Sequence, residues 1–429
     1  MKLPEAFSER MKARLGEEWP AFLSALDTPP PTSVRLHPRK GEGLFSSVAG
    51  VPWHPLGRVL TNRPHFESDP LWHAGAYYVQ EASGMSVRLF LPEGKPLRVI
   101  DLSAAPGGKA TLVLGEIGWE GGLLVANDPD PLRRVALREN LERWGIPAYI
   151  ITGRHPRWWA ERYPGAFDVV ILDAPCSGEG LWRRDPKALC LWSPSHSQRM
   201  QRLQRSLLFS ALQLVAPGGI LIYSTCTYAP QENEENLAYV FSEAAAWEPI
   251  EWTSPPPAVQ TVAYGEAGGI GYYFYPHRGP GEGFFISAWR RRGKRGHFRS
   301  VPLRISRKKS PYVLPHELLA FSRGEGLYGL TATAAEVFLP GLAEEKWEAF
   351  PLWRHSRPSH AAALLDRGMQ QAFPERVLEE GEFDAYLRGE VFSFRFPFEW
   401  VTYQGRGIGW LYRGRPSLPL TWKRFLRNR

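Results

Sequence analysis

Cysteine is scarce in this chain, and its scarcity excludes two classes of protein. Only Cys176, Cys190 and Cys226 occur among the 429 residues. Three cysteines cannot build a disulfide framework, and none belongs to a Cys-x-x-Cys pair of the kind that binds zinc. Because thiol chemistry needs a reducing compartment, we expect a cytoplasmic protein without a metal centre.

Long apolar runs are absent as well. No stretch approaches the roughly 18 uncharged apolar residues that a bilayer-spanning helix needs. The first residues, Met1 to Glu5, do not lead into the apolar core of a signal peptide. The sequence therefore predicts a soluble protein that does not bind a membrane, and we expect a monomer.

Lysine is the third scarcity. Of 52 basic residues only 11 are lysine and 41 are arginine, against 44 acidic residues, so the formal net charge is +8. The planar guanidinium suits phosphate, and a basic balance favours a polyanionic partner such as nucleic acid. GC-rich coding or a thermophilic surface also enriches arginine, and charge alone does not separate these explanations.

The chain is too long for one ordinary domain, since domains rarely exceed about 250 residues. Helical spacing over Phe7 to Leu26 and a strand over Thr32 to Leu36 predict a mixed N-terminal part. The run Arg290 to Lys309 holds ten basic residues and no acidic one, which is typical of a linker or an RNA-contacting arm. We predict four parts, an N-terminal α+β domain, a central α/β domain, a basic linker with a first C-terminal segment, and a C-terminal α+β module: residues 1–94, 95–292, 293–356 and 357–429.

A regular alternation of strands and helices begins at Leu97. It predicts a mostly parallel sheet covered by helices on both faces, a Rossmann-like α/β fold. The predicted strands are Leu97–Asp101, Gly122–Asn127, Ala148–Ile151, Phe167–Asp173 and Gly219–Ser224, with Gly283–Arg290 at the edge. The predicted helices start near Gly108 and cover Leu132–Trp144, Met200–Val215 and Glu232–Glu243. In the last part we predict helices around 361–371 and 380–388, and strands near 391–396, 400–403 and 409–412.

Two of the three cysteines lie in loops that follow buried strands. Cys176 lies in Asp173-Ala174-Pro175-Cys176-Ser177-Gly178, and Cys226 lies in Ser224-Thr225-Cys226-Thr227-Tyr228. The carboxyl ends of parallel strands are where α/β proteins bind ligands. The pair therefore indicates thiol chemistry, whereas Cys190 is expected only to pack.

A glycine-rich loop, Asp101 to Lys109, joins the first central strand to a helix. A phosphate-binding G-x-x-x-x-G-K-[ST] loop would need glycine at 103 and serine or threonine at 110, but the chain has Ser103 and Ala110. Asp128 ends the next strand, where an acid can accept hydrogen bonds from ribose hydroxyls. A ribose-binding acid beside a loop that is not built for phosphates fits S-adenosylmethionine.

These three loops, in this order, resemble those of the RNA (cytosine-5)-methyltransferases, and the closest likeness is to the bacterial small-subunit rRNA methyltransferase F group. The match is clear over about residues 1 to 290, and the last sixty residues look like a PUA-like RNA-binding module. The resemblance implies an S-adenosylmethionine-dependent methyltransferase core with a seven-stranded, mostly parallel sheet, and RNA-binding domains at both ends. It implies methylation of carbon 5 of cytosine in 16S rRNA of the small subunit.

The resemblance also implies roles for individual residues. Cys226 would attack carbon 6 of cytosine, Cys176 would assist release, Asp173 would hold the base, Lys109 would favour the thiolate, and Pro175 would shape the base pocket. The cofactor would be bound by Ser103, Ala104, Ala105, Pro106, Gly107, Gly108, Lys109, Asp128, Arg133 and Asp173. An exchange of roles between the two cysteines stays open, because in DNA cytosine methyltransferases the Pro-Cys loop supplies the nucleophile.

One stretch departs from the family pattern. The family has an acidic residue after the third strand, and this chain has Thr152-Gly153-Arg154-His155. Trp182, Arg183, Arg184 and Trp192 flank the Pro-Cys loop and are candidates for RNA contacts, with ordinary packing an equal alternative for Trp192. The same chemistry on transfer RNA, or a non-catalytic RNA-binding assembly factor, are the alternative functions.

Overall fold

A computed structural model describes most of the chain: residues 2–93, 97–119, 121–242, 245–294, 318–323, 326–336, 346–354, 357–365 and 373–419. Most of the basic run (295–309) and the second half of the helix predicted over 361–371 lie outside the described residues. In the part that is described, no helix is both long and apolar enough to cross a membrane.

The N-terminal part combines three helices with a small antiparallel sheet. The helices are α1 (Glu5–Leu15), α2 (Trp19–Leu26) and α3 (Pro70–His73). The strands are β1 (Thr32–Leu36), β2 (Gly50–Val51), β3 (His54–Leu60) and β4 (Tyr77–Val79), in the order β2-β3-β1-β4. The apolar faces of α1 and α2 place Phe7, Met11 and Phe22 in the same core as the central sheet, so this part packs directly on the next.

The centre of the molecule is the parallel sheet that the alternation predicts. Its five parallel strands are β5 (Leu97–Asp101), β6 (Gly122–Asn127), β7 (Tyr149–Thr152), β8 (Phe167–Asp173) and β9 (Val215–Thr225), in the order β7-β6-β5-β8-β9. All residues of β5, β6 and β7 are buried, as expected for a sheet covered on both faces. The carboxyl ends of β5, β8 and β9 therefore meet at one edge.

Helices cover this sheet: α4 (Gly108–Ile117), α5 (Pro131–Trp144), α6 (Pro156–Arg162), α7 (Pro186–Leu191), α8 (Pro194–Leu214) and α9 (Glu234–Val240). Helix α8 begins six residues before its predicted start at Met200. The reason is its N-terminal cap, because the Ser193 side chain accepts a hydrogen bond from the backbone N–H of His196.

The sheet is larger than the seven strands expected, although its α/β class is confirmed. Among the described residues it has 13 strands, which include β10 (Trp247–Pro249), β11 (Val259–Tyr264), β12 (Gly269–Phe274) and β13 (Phe284–Arg291). Strand β13 pairs antiparallel with β9, the last of the parallel strands, so it joins the edge of the parallel sheet as predicted, and β12 continues the sheet beyond it. The β11–β12 hairpin, which the sequence analysis did not predict, pairs with β13 through β12 and extends the sheet.

The other edge is extended by C-terminal residues: β14 (Leu318–Arg323), β15 (Gly326–Thr331), α10 (Ala332–Glu336), β16 (Glu348–Arg354) and β17 (Arg357–Pro358). Strand β16 pairs with β7, so part of the segment predicted as a linker continues the central sheet. The predicted domain boundaries themselves stay a prediction.

The C-terminal module has its own sheet and core. It contains α11 (His360–Ala363), β18 (Glu375–Val377), α12 (Glu382–Arg388), β19 (Phe398–Tyr403), β20 (Arg406–Tyr412) and β21 (Arg415–Pro416). The strand predicted over 391–396 is wrong. Its alternating aromatic pattern suits a strand, but among the described residues it makes one backbone–backbone hydrogen bond, from Phe392 N–H to the Gly414 carbonyl, and one bond does not form a ladder.

Candidate active site

A cavity of about 350 Å³ opens at the carboxyl ends of β5, β8 and β9. Nine of the predicted site residues line it: Ser103, Ala104, Ala105, Pro106, Gly108, Lys109, Arg133, Asp173 and Cys226. Gly107, Asp128, Pro175 and Cys176 lie beside it without lining it. The loops singled out in the sequence thus converge on one site.

The two loop cysteines face each other. Their Sγ atoms are 3.1 Å apart, and both are free thiols that are partly buried. The hydrogen bond with Cys226, reinforced by burial, raises the pKa of the Cys176 thiol well above its usual value. A raised pKa favours the protonated form of Cys176, which is the form that can donate to the sulfur of Cys226. Cys190 is exposed on α7, so the expectation that it packs in a core is wrong.

An ion pair lies beside the thiols. Lys109 Nζ is 2.7 Å from Asp173 Oδ2, and Ser224 Oγ donates to Asp173 Oδ1 at 2.7 Å. Burial alone would lower the pKa of Lys109, but Asp173, Asp101 and Cys226 outweigh it and the pKa is raised. Lys109 thus stays a cation, and a nearby cation stabilises a thiolate.

The Cys176 loop is held by a buried carboxylate that the sequence analysis missed as a site residue. Glu232 is fully buried and accepts hydrogen bonds from Ser177 N (3.0 Å), Ser197 Oγ (2.6 Å) and Gln204 Nε2 (2.8 Å). Gln204 Nε2 also donates to the carbonyl of Pro175 at 2.8 Å. Burial raises the pKa of Glu232, and these donors offset the effect in part. The loop is therefore rigid before any substrate binds.

Asp128, the acid predicted to bind a ribose, already accepts hydrogen bonds from neighbouring backbone N–H groups. Asp128 is 1 % exposed, and its two oxygens accept hydrogen bonds from Ala105 N (3.2 Å) and Asp130 N (3.0 Å). Arg133 Nη2 donates to the Ala105 carbonyl at 2.6 Å and so ties α5 to the glycine-rich loop. Asp128 shapes this loop, and its contact with a ribose stays a prediction.

A second carboxylate missed by the sequence analysis lines the cavity at the end of β5. Asp101 Oδ1 accepts from Ser103 N at 3.2 Å, whereas Oδ2 is buried and has no hydrogen-bond partner within the described part of the chain. Burial, with repulsion from Asp173, raises the pKa of Asp101 to about 7. A buried acceptor of this kind favours a cationic donor.

Residues outside the predicted motifs complete the wall. Tyr78 and Gln80 come from the N-terminal part, Arg184 from the segment after the Cys176 loop, and Glu282 from the residues before β13. The sequence analysis gave Tyr78, Gln80 and Glu282 no role in the site, because they reach the cavity only through the tertiary fold. Arg184 was a candidate for RNA contact and lies at the cavity.

The two candidate tryptophans are not available to RNA. Trp182 is fully buried and Trp192 is 9 % exposed, and both pack against Phe7 of α1. Trp192 Nε1 also donates to Glu179 at 2.9 Å. Arg183 donates to Thr28, so it ties the N-terminal part to the catalytic loop. For Trp182 and Trp192 the packing role is the one the structure shows.

Comparison with known proteins identifies the family. Residues 89–290 match the model described as 16S rRNA methyltransferase RsmB/F, and residues 3–82 match the N-terminal domain of 16S rRNA methyltransferase RsmF. The chain belongs to the RsmB/F methyltransferase family. Relatives named ribosomal RNA small subunit methyltransferase F include one from Cronobacter sakazakii, 36% identical over 258 residues (56% of this chain, 53% of the relative). Another, from Erwinia tasmaniensis, is 33% identical over 309 residues (67% and 63%). The chain thus spans about half to two thirds of the length of these relatives.

Solved structures of similar fold include two from one archaeal source. A methyltransferase homolog protein from Pyrococcus horikoshii is 27% identical, with a TM-score of 0.55 over 67% of this chain and 100% of that one. NSun6 from the same organism, solved with SFG, has a TM-score of 0.57 over 68% of this chain and 99% of its own, and at 20% identity it shows the fold alone.

Methyltransferases of the RsmB/F family use S-adenosylmethionine as their cofactor. The cavity fits it in three respects. Its volume lies in the range of small-molecule sites, about 300–1,000 Å³. The glycine-rich loop forms one wall, and the unpartnered Asp101 oxygen suits a cationic group such as an ammonium.

Proposed function

We propose that this RsmB/F family member methylates carbon 5 of a cytosine in 16S rRNA of the small ribosomal subunit. The observation that carries the proposal is the pair of free thiols, 3.1 Å apart, of which Cys226 lines the cavity beside Lys109 and Asp173. Two facing thiols beside a carboxylate suit addition to a pyrimidine and the later elimination.

Cys226 begins the reaction by attacking the pyrimidine ring. Its sulfur forms a bond to carbon 6, and the displaced ring electrons make carbon 5 nucleophilic while charge develops towards ring nitrogen 3. Asp173, positioned by Lys109 and Ser224, acts here in its protonated form: its O–H donates to nitrogen 3 while its other oxygen accepts from the amino group, and that proton limits the developing charge. S-adenosylmethionine, when bound, supplies the methyl group that carbon 5 takes.

Cys176 acts in the second half of the reaction. Once Cys226 is bonded to carbon, it is no longer the charged neighbour that raises the pKa of Cys176. Cys176 then passes its own proton to water in the open cavity and, as a thiolate, accepts the proton from carbon 5. The electron pair of that C–H bond restores the ring double bond, and the bond between Cys226 and carbon 6 breaks to return the thiolate.

The RNA must present an unpaired base to this cavity. A cytosine stacked in a duplex does not expose carbon 6, so the target must be single-stranded or flipped out, at a cost of a few kcal/mol. We propose that the N-terminal part and the C-terminal module bind the surrounding RNA. Their contribution should weaken with salt, as expected for phosphate contacts.

The test is methyl transfer from labelled S-adenosylmethionine to purified small subunits, to free 16S rRNA and to transfer RNA. Mass mapping then identifies the modified base. We expect 5-methylcytosine in 16S rRNA in at least one of the first two samples. Methylation of transfer RNA alone would overturn the substrate assignment, and label on adenine, or on no RNA, would overturn the chemistry.

A further inference from the structure

Glu282 is a buried carboxylate in the catalytic cavity that the mechanism above does not use. It is 3 % exposed and lines the same cavity as Cys226. Arg184 donates a hydrogen bond to its Oε1, whereas Oε2 is buried and has no hydrogen-bond partner among the residues that the structure describes. Burial raises the pKa of Glu282, and the Arg184 guanidinium offsets this only in part. A buried acceptor oxygen without a hydrogen-bond donor favours the binding of a ligand that supplies one.

The backbone of Glu282 is fixed against the Cys226 loop. Tyr228 Oη donates to the Glu282 carbonyl at 2.8 Å. Gly283 has φ +140, and a β-carbon there would overlap Tyr228 Oη and the Gly180 backbone. Gly180 N in turn donates to the Cys226 carbonyl at 2.9 Å. The carboxylate is therefore held at a set position relative to the nucleophile.

The cavity has two carboxylates with an unpartnered oxygen, and they lie on different sides. Asp101 ends β5 and begins the glycine-rich cofactor loop. Glu282 precedes β13, whose Phe285 pairs with Thr225, the residue before Cys226. Asp101 is thus joined to the glycine-rich loop, whereas Glu282 is joined to the strand that pairs beside Cys226.

The two pyrimidines of RNA differ at carbon 4. Cytosine carries an amino group there, which donates hydrogen bonds, and uracil carries a carbonyl oxygen, which only accepts. A carboxylate accepts from the amino group and is repelled by the carbonyl oxygen. Carbon 6 is open to a thiolate in both bases, so the thiols alone do not select cytosine.

We propose that Glu282 accepts a hydrogen bond from the carbon 4 amino group of the target cytosine and thereby excludes uracil. This inference rests on the proposed function. Asp173 donates a proton to nitrogen 3 and accepts one amino hydrogen, and Glu282 accepts the other amino hydrogen. Arg184 orients Glu282 through its hydrogen bond to Oε1, so Arg184 is a positioning residue.

The test is Glu282→Gln, assayed with the small-subunit RNA fragment that carries the mapped cytosine, made with cytidine or uridine at that position. The glutamine oxygen keeps the hydrogen bond from Arg184, so its NH₂ group faces the base and suits uracil. We expect kcat/KM on the cytidine RNA to fall at least about tenfold, the loss that follows from one hydrogen bond to a charged group. The uridine RNA should gain methylation, so that the cytidine-to-uridine ratio falls further.

Glu348→Gln is the matched control, because it removes one carboxylate from an ion pair with Arg138 at the far end of the sheet. Its cytidine-to-uridine ratio should equal that of the wild type. An unchanged ratio in folded Glu282→Gln, even with lower overall activity, would show a merely structural role and overturn the inference alone. A wild-type protein that methylates no cytosine would overturn the proposed function, and this inference with it.

Discussion

Replacement of Asp101 by asparagine should change the way stability depends on pH. The pKa of this buried carboxyl is raised from 3.8 to about 7, first by burial and then by repulsion from Asp173. The folded protein therefore binds this proton more tightly than the unfolded chain does. The contribution of Asp101 to the unfolding free energy is therefore fully present below about pH 4 and is lost as the pH rises towards 7.

The size of the effect follows from the shift. A difference of about three pKa units is worth about 4 kcal/mol in total, and about 2–3 kcal/mol of it falls between pH 5 and pH 8. Asparagine does not titrate. The unfolding free energy of Asp101→Asn minus that of the wild type should therefore rise by about 2–3 kcal/mol over this range.

The assay is urea unfolding of both proteins at pH 5, 6, 7 and 8. Taking the difference between them removes the contribution of the other titrating groups. Asp130→Asn, at the exposed cap of α5, controls for the loss of one carboxylate, since asparagine also caps helices. A difference for Asp101→Asn that stays flat, or falls with pH, would refute the reasoning.

Three further substitutions test the packing of the site. Glu232→Ala leaves three buried donors without an acceptor and should lower the unfolding free energy by about 3–5 kcal/mol, measured with urea; Glu234→Ala, whose side chain is partly exposed, should cost less. Gly283→Ala forces a β-carbon against Tyr228, so it should lower the unfolding free energy by at least about 1–3 kcal/mol and reduce activity. A variant as stable as the wild type would show that the position is not crowded. Lys109→Met removes the cation beside Cys226 and should slow its alkylation by iodoacetamide severalfold at pH 8, followed by mass spectrometry; an unchanged rate would contradict its electrostatic role.

The parallel core could be predicted from sequence because its signals are local. Strand β5 is a short apolar run, and the glycine-rich turn and the helix from Gly108 follow it directly. The loops of Cys176 and Cys226 could be found in the same way, because each directly follows a buried strand. Because both follow parallel strands of one sheet, their convergence at one edge was predictable, although their 3.1 Å separation was not.

The rest depends on contacts between distant segments. Glu232, Asp101 and Glu282 differ from any exposed acid only in burial and in their hydrogen-bond partners, which the fold decides. Strand β16 was not predicted to extend the sheet because its partner, β7, is about 200 residues away in the chain. At 391–396 a strand-like pattern gave a loop, since a strand needs a partner as well as a pattern.

The roles of the two thiols are the centre of this account. If Cys226 attacks, its replacement leaves no nucleophile and no bond to RNA. If Cys176 assists release, its replacement leaves the bond between Cys226 and carbon 6 in place. Cys190 lies exposed on α7, outside the cavity, and provides a cysteine control.

The most direct test is a denaturing gel of Cys176→Ala, Cys226→Ala and Cys190→Ala after incubation with S-adenosylmethionine and small-subunit RNA. We expect a protein–RNA band to accumulate with Cys176→Ala and to be absent with Cys226→Ala, while Cys190→Ala turns over like the wild type. A band that accumulates with Cys226→Ala instead would reverse the two roles, and no band with any variant would contradict covalent catalysis.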